Sequence, residues 1–129
     1  MNYEDAAKKY CELRDEVELS EQLEDRILEI LAAAKRRPIR HVMLNTNGIR
    51  IAEDPAFVER LAELRPGFEV YLQFDSLRPG VLQRLRGADL RDVRMRALDA
   101  LDAAGVSTTL VVTVERGQND DELGAIIDF

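Results

Sequence analysis

EVYLQFDS, residues 69–76, is the stretch whose pattern decides the fold. Val70, Leu72 and Phe74 alternate with Tyr71, Gln73 and Asp75. As a strand it presents an oily row on one side and a polar row on the other. A parallel strand held between two helical layers is apolar nearly throughout, and this one is not. Working outward, HVMLNTNG (41–48) sets Val42 and Leu44 against His41, Met43 and Asn45. TTLVVTVE (108–115) sets Leu110, Val112 and Val114 against Thr109, Val111, Thr113 and Glu115. Each stretch turns polar at its C-terminal end, where a strand passes into a loop. Polar groups gathered at one end of several parallel strands are how α/β proteins assemble ligand sites. The expectation is an α/β fold of the partial (βα) barrel kind, with helices on the outer face and a polar lumen, rather than a doubly wound sheet.

The intervening stretches read as helices. Tyr3 to Asp15 forms the first, with Cys11 as a small core residue, and Val17–Ser20 is a short extended candidate. Ser20 can cap a helix that runs to Arg37, turns Leu23, Ile27, Ile30, Leu31 and Ala34 inward, and ends at Pro38. Asp54-Pro55 opens the next as an N-cap followed by a first-turn proline, with Phe57, Val58, Leu61 and Leu64 as its inner stripe. Pro66-Gly67 stops it. Beyond the strand Val70–Phe74 come a short helix Val81–Arg86, broken by Gly87, and a longer one over Leu90–Ala104. After the strand Thr108–Val114, a last helix starts near Asp120, where Asp120, Asp121 and Glu122 complement its dipole. This order implies about four parallel strands with right-handed crossovers. Closing such a barrel takes about eight strands, and an isolated part leaves open edges. Residues 1–129 are therefore expected to be one truncated domain, completed by a second copy, another chain or missing sequence.

Bulk properties narrow the partners. A net charge of −7 argues against nucleic acid held through its phosphates. The basic clusters at Lys35–Arg37 and Arg84–Arg96 lie among acidic residues and read as solvated helix faces. With 46% hydrophobic residues the chain can build a core. One cysteine, no apolar run approaching roughly 20 residues, and a charged N-terminus point to a cytoplasmic protein without a membrane span.

Common catalytic arrangements are missing. His41 is the only histidine and begins a strand at the end away from the polar loops. No zinc spacing, phosphate-binding glycine loop or nucleophile elbow is present. Asp75 and Glu115 are the two carboxylates placed towards one site. No catalytic or metal-binding residue is assigned.

LNTNG at 44–48, YLQFDSL at 71–77, Arg86-Gly87, and TTLVVTV ahead of Gly117 and Asn119 occur in an order that resembles the radical S-adenosylmethionine (SAM) enzymes. The likeness covers residues 17–129 and is to the branch with the molybdenum-cofactor synthases and the tetraether-lipid-synthase-like group. It implies a βα barrel with a 4Fe–4S cluster and SAM at the strand tops. It would place Thr46, Asn47 and Gly48 along the SAM pocket, Asp75 and Ser76 near the ribose, and Thr113 and Asn119 near the adenosine or methionine end. Arg86 would pair with the methionine carboxylate. Plainer roles stay open: Asn47-Gly48 as a turn, Asp75 and Ser76 as caps, Asn119 as a helix N-cap.

The chain also departs from that family. The cluster there is held by CxxxCxxC, whereas this sequence has Cys11 alone. A GGEP-type loop is expected after the Val17–Ser20 strand, but Glu21-Gln22-Leu23 follows. The expected function is a fragment of a radical SAM domain that carries part of the SAM pocket, without the 4Fe–4S cluster and inactive alone. The alternatives are a non-catalytic nucleotide- or SAM-binding module and a self-associating α/β fragment.

Overall fold

The computed structural model describes residues 22, 23 and 25–129. The Tyr3–Asp15 helix, the setting of Cys11 and the Val17–Ser20 strand lie outside the described residues. The chain divides into two units, Met1–Ile39 and Arg40–Phe129.

In the first unit a helix over 25–35 (α1) passes into a turn at 36–38. Leu28 and Leu31 are buried, while Leu23 and Ile30 are exposed at 53% and 65%. The inward stripe expected from the sequence is therefore too broad. Leu23 and Ile30 stand two turns apart on one flank of it and remain in solvent.

The second unit runs β1 (Val42–Thr46), α2 (Ile49–Glu53), α3 (Pro55–Ala62), β2 (Phe68–Gln73), α4 (Pro79–Arg86), α5 (Arg91–Ala103), β3 (Ser107–Val111) and α6 (Leu123–Ile127). Among the described residues the three strands make one parallel sheet in the order β1-β2-β3. Val42, Leu44 and Thr46 stand opposite Phe68, Val70 and Leu72, and the last two stand opposite Thr108 and Leu110.

The two faces differ along β2 as the alternation requires, whereas along β3 burial does not alternate and Val114, expected on the oily side, is exposed. Phe68, Val70 and Leu72 are at most 3% exposed. Glu69, Tyr71 and Gln73, pointing the other way, are half-buried, and Met43 beside them is 51% exposed. The helices close on the apolar face, where Leu61, Ala97 and Leu101 are fully buried. Burying a leucine there contributes about 1.5–3 kcal/mol before its ordering cost.

Local chemistry sets the joints. Asp54 Oδ1 accepts from the Ala56 and Phe57 amides at 2.9 and 3.2 Å, and Pro55 begins α3. Gly48, at φ 83°, brings the chain so close to the core that an added Cβ would lie 2.6 Å from Leu72 Cδ1 and 3.3 Å from Ala97 Cβ.

Three expectations need correction. A short helix, α2, fills the stretch between Gly48 and Asp54. The third strand ends at Val111 rather than Val114, and the last helix begins at Leu123 rather than near Asp120. Both boundaries moved because the side chains around 113–122 bind the neighbouring loop. No helix among the described residues is long and apolar enough to cross a membrane.

Candidate functional site

The loops leaving β2 and β3 are joined through Asp75, which is 1% exposed. Its Oδ1 accepts from the Thr113 amide at 2.9 Å, and its Oδ2 accepts from Arg86 Nε at 2.6 Å. The Asn119 amide group donates to the carbonyls of Asp75 and Thr113 at 2.7 and 2.9 Å, and its Oδ1 accepts from the Glu115 amide at 2.8 Å. These bonds explain the early end of β3. The Phe74 amide still reaches Val111 O at 2.8 Å, but the Thr113 amide turns to a side chain. Pairing with Asp75 raises the affinity of the Arg86 guanidinium for its proton.

A second set of contacts holds the next residues. The Ser76 hydroxyl donates to the Glu122 carboxylate and accepts from the Arg78 amide at 3.0 Å. Glu122 also accepts from the Leu77 amide at 3.0 Å and lies 3.2 Å from Arg78 Nε. Arg78 Nη2 reaches Asp121 and Gln118 O, both at 2.7 Å. From beneath, the buried Arg94 donates to the carbonyls of Phe74 and Ser76. Burial lowers the proton affinity of Arg94, and Asp75 and Asp89 oppose that effect.

The turn after β1 is built differently. Thr46 Oγ1 accepts from the Gly48 amide and Asn47 Oδ1 from the Ile49 amide, each at 3.1 Å. Asn47 is exposed.

The residues singled out in the sequence thus fall into two groups. Asp75, Ser76, Arg86, Thr113 and Asn119 meet in the joined loops, whereas Thr46, Asn47 and Gly48 form a self-contained turn at the same end of the sheet. Asp75 and Asn119 are fully engaged by the protein. Of the residues singled out in the sequence, the Asn47 amide nitrogen, the Thr113 hydroxyl and the terminal nitrogens of Arg86 have no hydrogen-bond partner among the described residues.

Three site residues escape a reading by motif. Arg94 lies in the Arg84–Arg96 cluster expected to be a solvated face, yet it is 2% exposed. Its spacing to Ala97 and Leu101, the other buried residues of α5, is the signal that places it inward. Glu122, expected to serve the last helix's dipole, instead binds Ser76 and Leu77. Arg78 gives no sequence signal, since it pairs with residues 40 and 43 positions away.

The opposite end of the sheet is separate. There Glu69 accepts from the Thr109 hydroxyl and from His41 Nε2 at 2.9 Å, and the two bonds, Thr109's the stronger, hold its carboxyl below the usual range. His41 is half exposed, at 50% of its side chain. An open depression lined by Leu98, Asp102, Val106 and Ser107 also lies there, away from the joined loops.

A 4Fe–4S cluster needs thiolates. The chain has one cysteine, and the described residues hold no group of three His, Cys, Asp or Glu side chains placed for a metal ion. The residues present do not fit the cluster. They do suit a polar, partly charged organic ligand, with amide, hydroxyl and guanidinium donors at the ends of adjacent strands.

The chain is 31% identical over 102 residues to 7,8-dihydro-6-hydroxymethylpterin dimethyltransferase of Methanocaldococcus jannaschii, a match covering 78% of this chain and 20% of that protein. The chain therefore spans about a fifth of the length of that relative. Residues 13–129 match the sequence model of the radical SAM superfamily, from before β1 to the end of α6. With every described residue inside that match, the chain belongs to the radical SAM superfamily.

Proposed function

We propose that this chain is part of a radical SAM barrel and supplies one wall of its SAM site without cleaving SAM itself. The observation that carries the reading is the Asp75-centred junction, which fixes the loops after β2 and β3 beside the Thr46-Asn47-Gly48 turn. The Asn47 amide and Thr113 hydroxyl are the donors proposed for the adenosine, and the outer nitrogens of Arg86 for the methionine carboxylate. Asp75, Ser76 and Asn119 serve the site by holding its loops, and Gly48 by letting the chain turn against Leu72.

The half-polar sheet face, with Asn45, Tyr71, Gln73 and Thr109, would line the lumen, and the remaining strands would come from polypeptide outside these 129 residues or from a second copy. Family membership implies a 4Fe–4S cluster in the complete enzyme. This chain's single cysteine cannot ligate it, so the function proposed here is binding and orientation.

Calorimetric titration with S-adenosylhomocysteine and SAM tests the reading. Saturable heat that falls with Asn47→Ala is expected. Absence of heat at millimolar ligand removes it. Anaerobic incubation with iron and sulfide tests the other half: near-stoichiometric cluster absorbance would overturn the assignment of binding without cleavage.

A further inference from the structure

Arg94 occupies the inner face of α5 with Ala97 and Leu101, and 2% of it is exposed. Removing a guanidinium from water is costly unless its N–H groups find acceptors. Its acceptors here are main-chain carbonyls. Nη1 donates to Phe74 O and Nη2 to Ser76 O, the latter at 2.9 Å. The guanidinium carbon stands 4.2 Å from the centre of the Phe74 ring. Nε has no partner among the described residues, so the loop supplies every hydrogen bond of this group.

The two carbonyls flank Asp75, whose φ of 62° is the only positive value at a non-glycine position among the described residues. An L-residue resists that conformation, so neighbouring contacts must hold it. The last sheet bond to this loop is Phe74 N to Val111 O; beyond it the Ser76 amide closes on the Phe74 carbonyl at 2.8 Å, Asn119 holds the Asp75 carbonyl, and Arg94 holds the two flanking carbonyls from the helix side. The Asp75 carboxylate reaches Thr113 and Arg86 from this bend.

We infer that Arg94 is the positioning residue of the site: it clamps the main chain on both sides of Asp75 and so directs the carboxylate that joins the two loops. Its effect on ligand rests on the SAM-binding reading; the clamp itself does not. Lysine keeps the charge but cannot make the planar two-point bridge.

The test uses the whole chain and Arg94→Lys. Loss of the clamp should speed hydrogen exchange at the Thr113 amide about tenfold, as expected for one part-buried hydrogen bond, while the β2 ladder amides keep their rates. The Asp75 amide–Hα coupling, which reports φ, should change with it, and affinity for S-adenosylhomocysteine should fall. Unchanged Thr113 exchange and unchanged Asp75 coupling in a folded Arg94→Lys would overturn the inference.

If that variant does not fold, the wild-type arginine decides. Separate, slowly exchanging Nη hydrogens coupled to the Phe74 and Ser76 carbonyl carbons support the clamp, and averaged signals overturn it. If the wild-type protein binds no S-adenosylhomocysteine, the SAM reading fails while these two measurements still decide the role of Arg94.

Discussion

The loops after β2 and β3 and the turn after β1 leave neighbouring parallel strands at the same end, yet their polar side chains do different work. Asp75, Ser76, Asn119 and Glu122 are all at most 7% exposed and bind groups far away in sequence, such as Asn119 to the Asp75 carbonyl. Thr46 and Asn47 accept only from amides two residues ahead, and Asn47 keeps its amide nitrogen in the open. A motif residue at a strand end can therefore be framework or ligand contact. Burial and the sequence separation of its partners distinguish the two.

Three substitutions would break or sharpen that contrast. Asn119→Ala should have the largest effect. It strips partners from the Asp75 and Thr113 carbonyls and from the Glu115 amide, and about 3 kcal/mol of stability should be lost in urea denaturation. Gly48→Ala comes next, at about 2 kcal/mol, because it adds a backbone penalty at φ 83° to a clash with the fully buried Leu72. Asn47→Ala should be smallest, about 0.5 kcal/mol, since it removes one exposed local bond, while weakening S-adenosylhomocysteine binding in calorimetry. If Asn47→Ala cost as much stability as Asn119→Ala, the distinction between the two regions would fail.

The sheet was legible because alternation at Val70, Leu72 and Phe74 depends on a period of two, which one stretch displays by itself. The cap at Asp54-Pro55 and the break at Gly87 were legible for the same local reason. Short or long-range features were not. Helix α2 has five residues, too few for a helical period to show. Val112, Thr113 and Val114 read as strand, but the Thr113 amide is taken by Asp75, 38 positions earlier. Of the candidate site, the motif residues could be named from the sequence, but which of them are buried framework and which stay open could not. That division depends on which side chains are buried, as Arg94 illustrates: a charge amid charges in sequence, placed in the interior by helical geometry.

The left-handed backbone at residue 75 has one more consequence. Someone writing a sequence for this turn alone would choose glycine there, which takes such an angle without resistance. Glycine would relax the bend yet leave the Thr113 amide and the Arg86 guanidinium without their shared acceptor. Aspartate at this bend shows the demands of a carboxylate overruling those of the main chain, at the joint where two loops must agree on one shape.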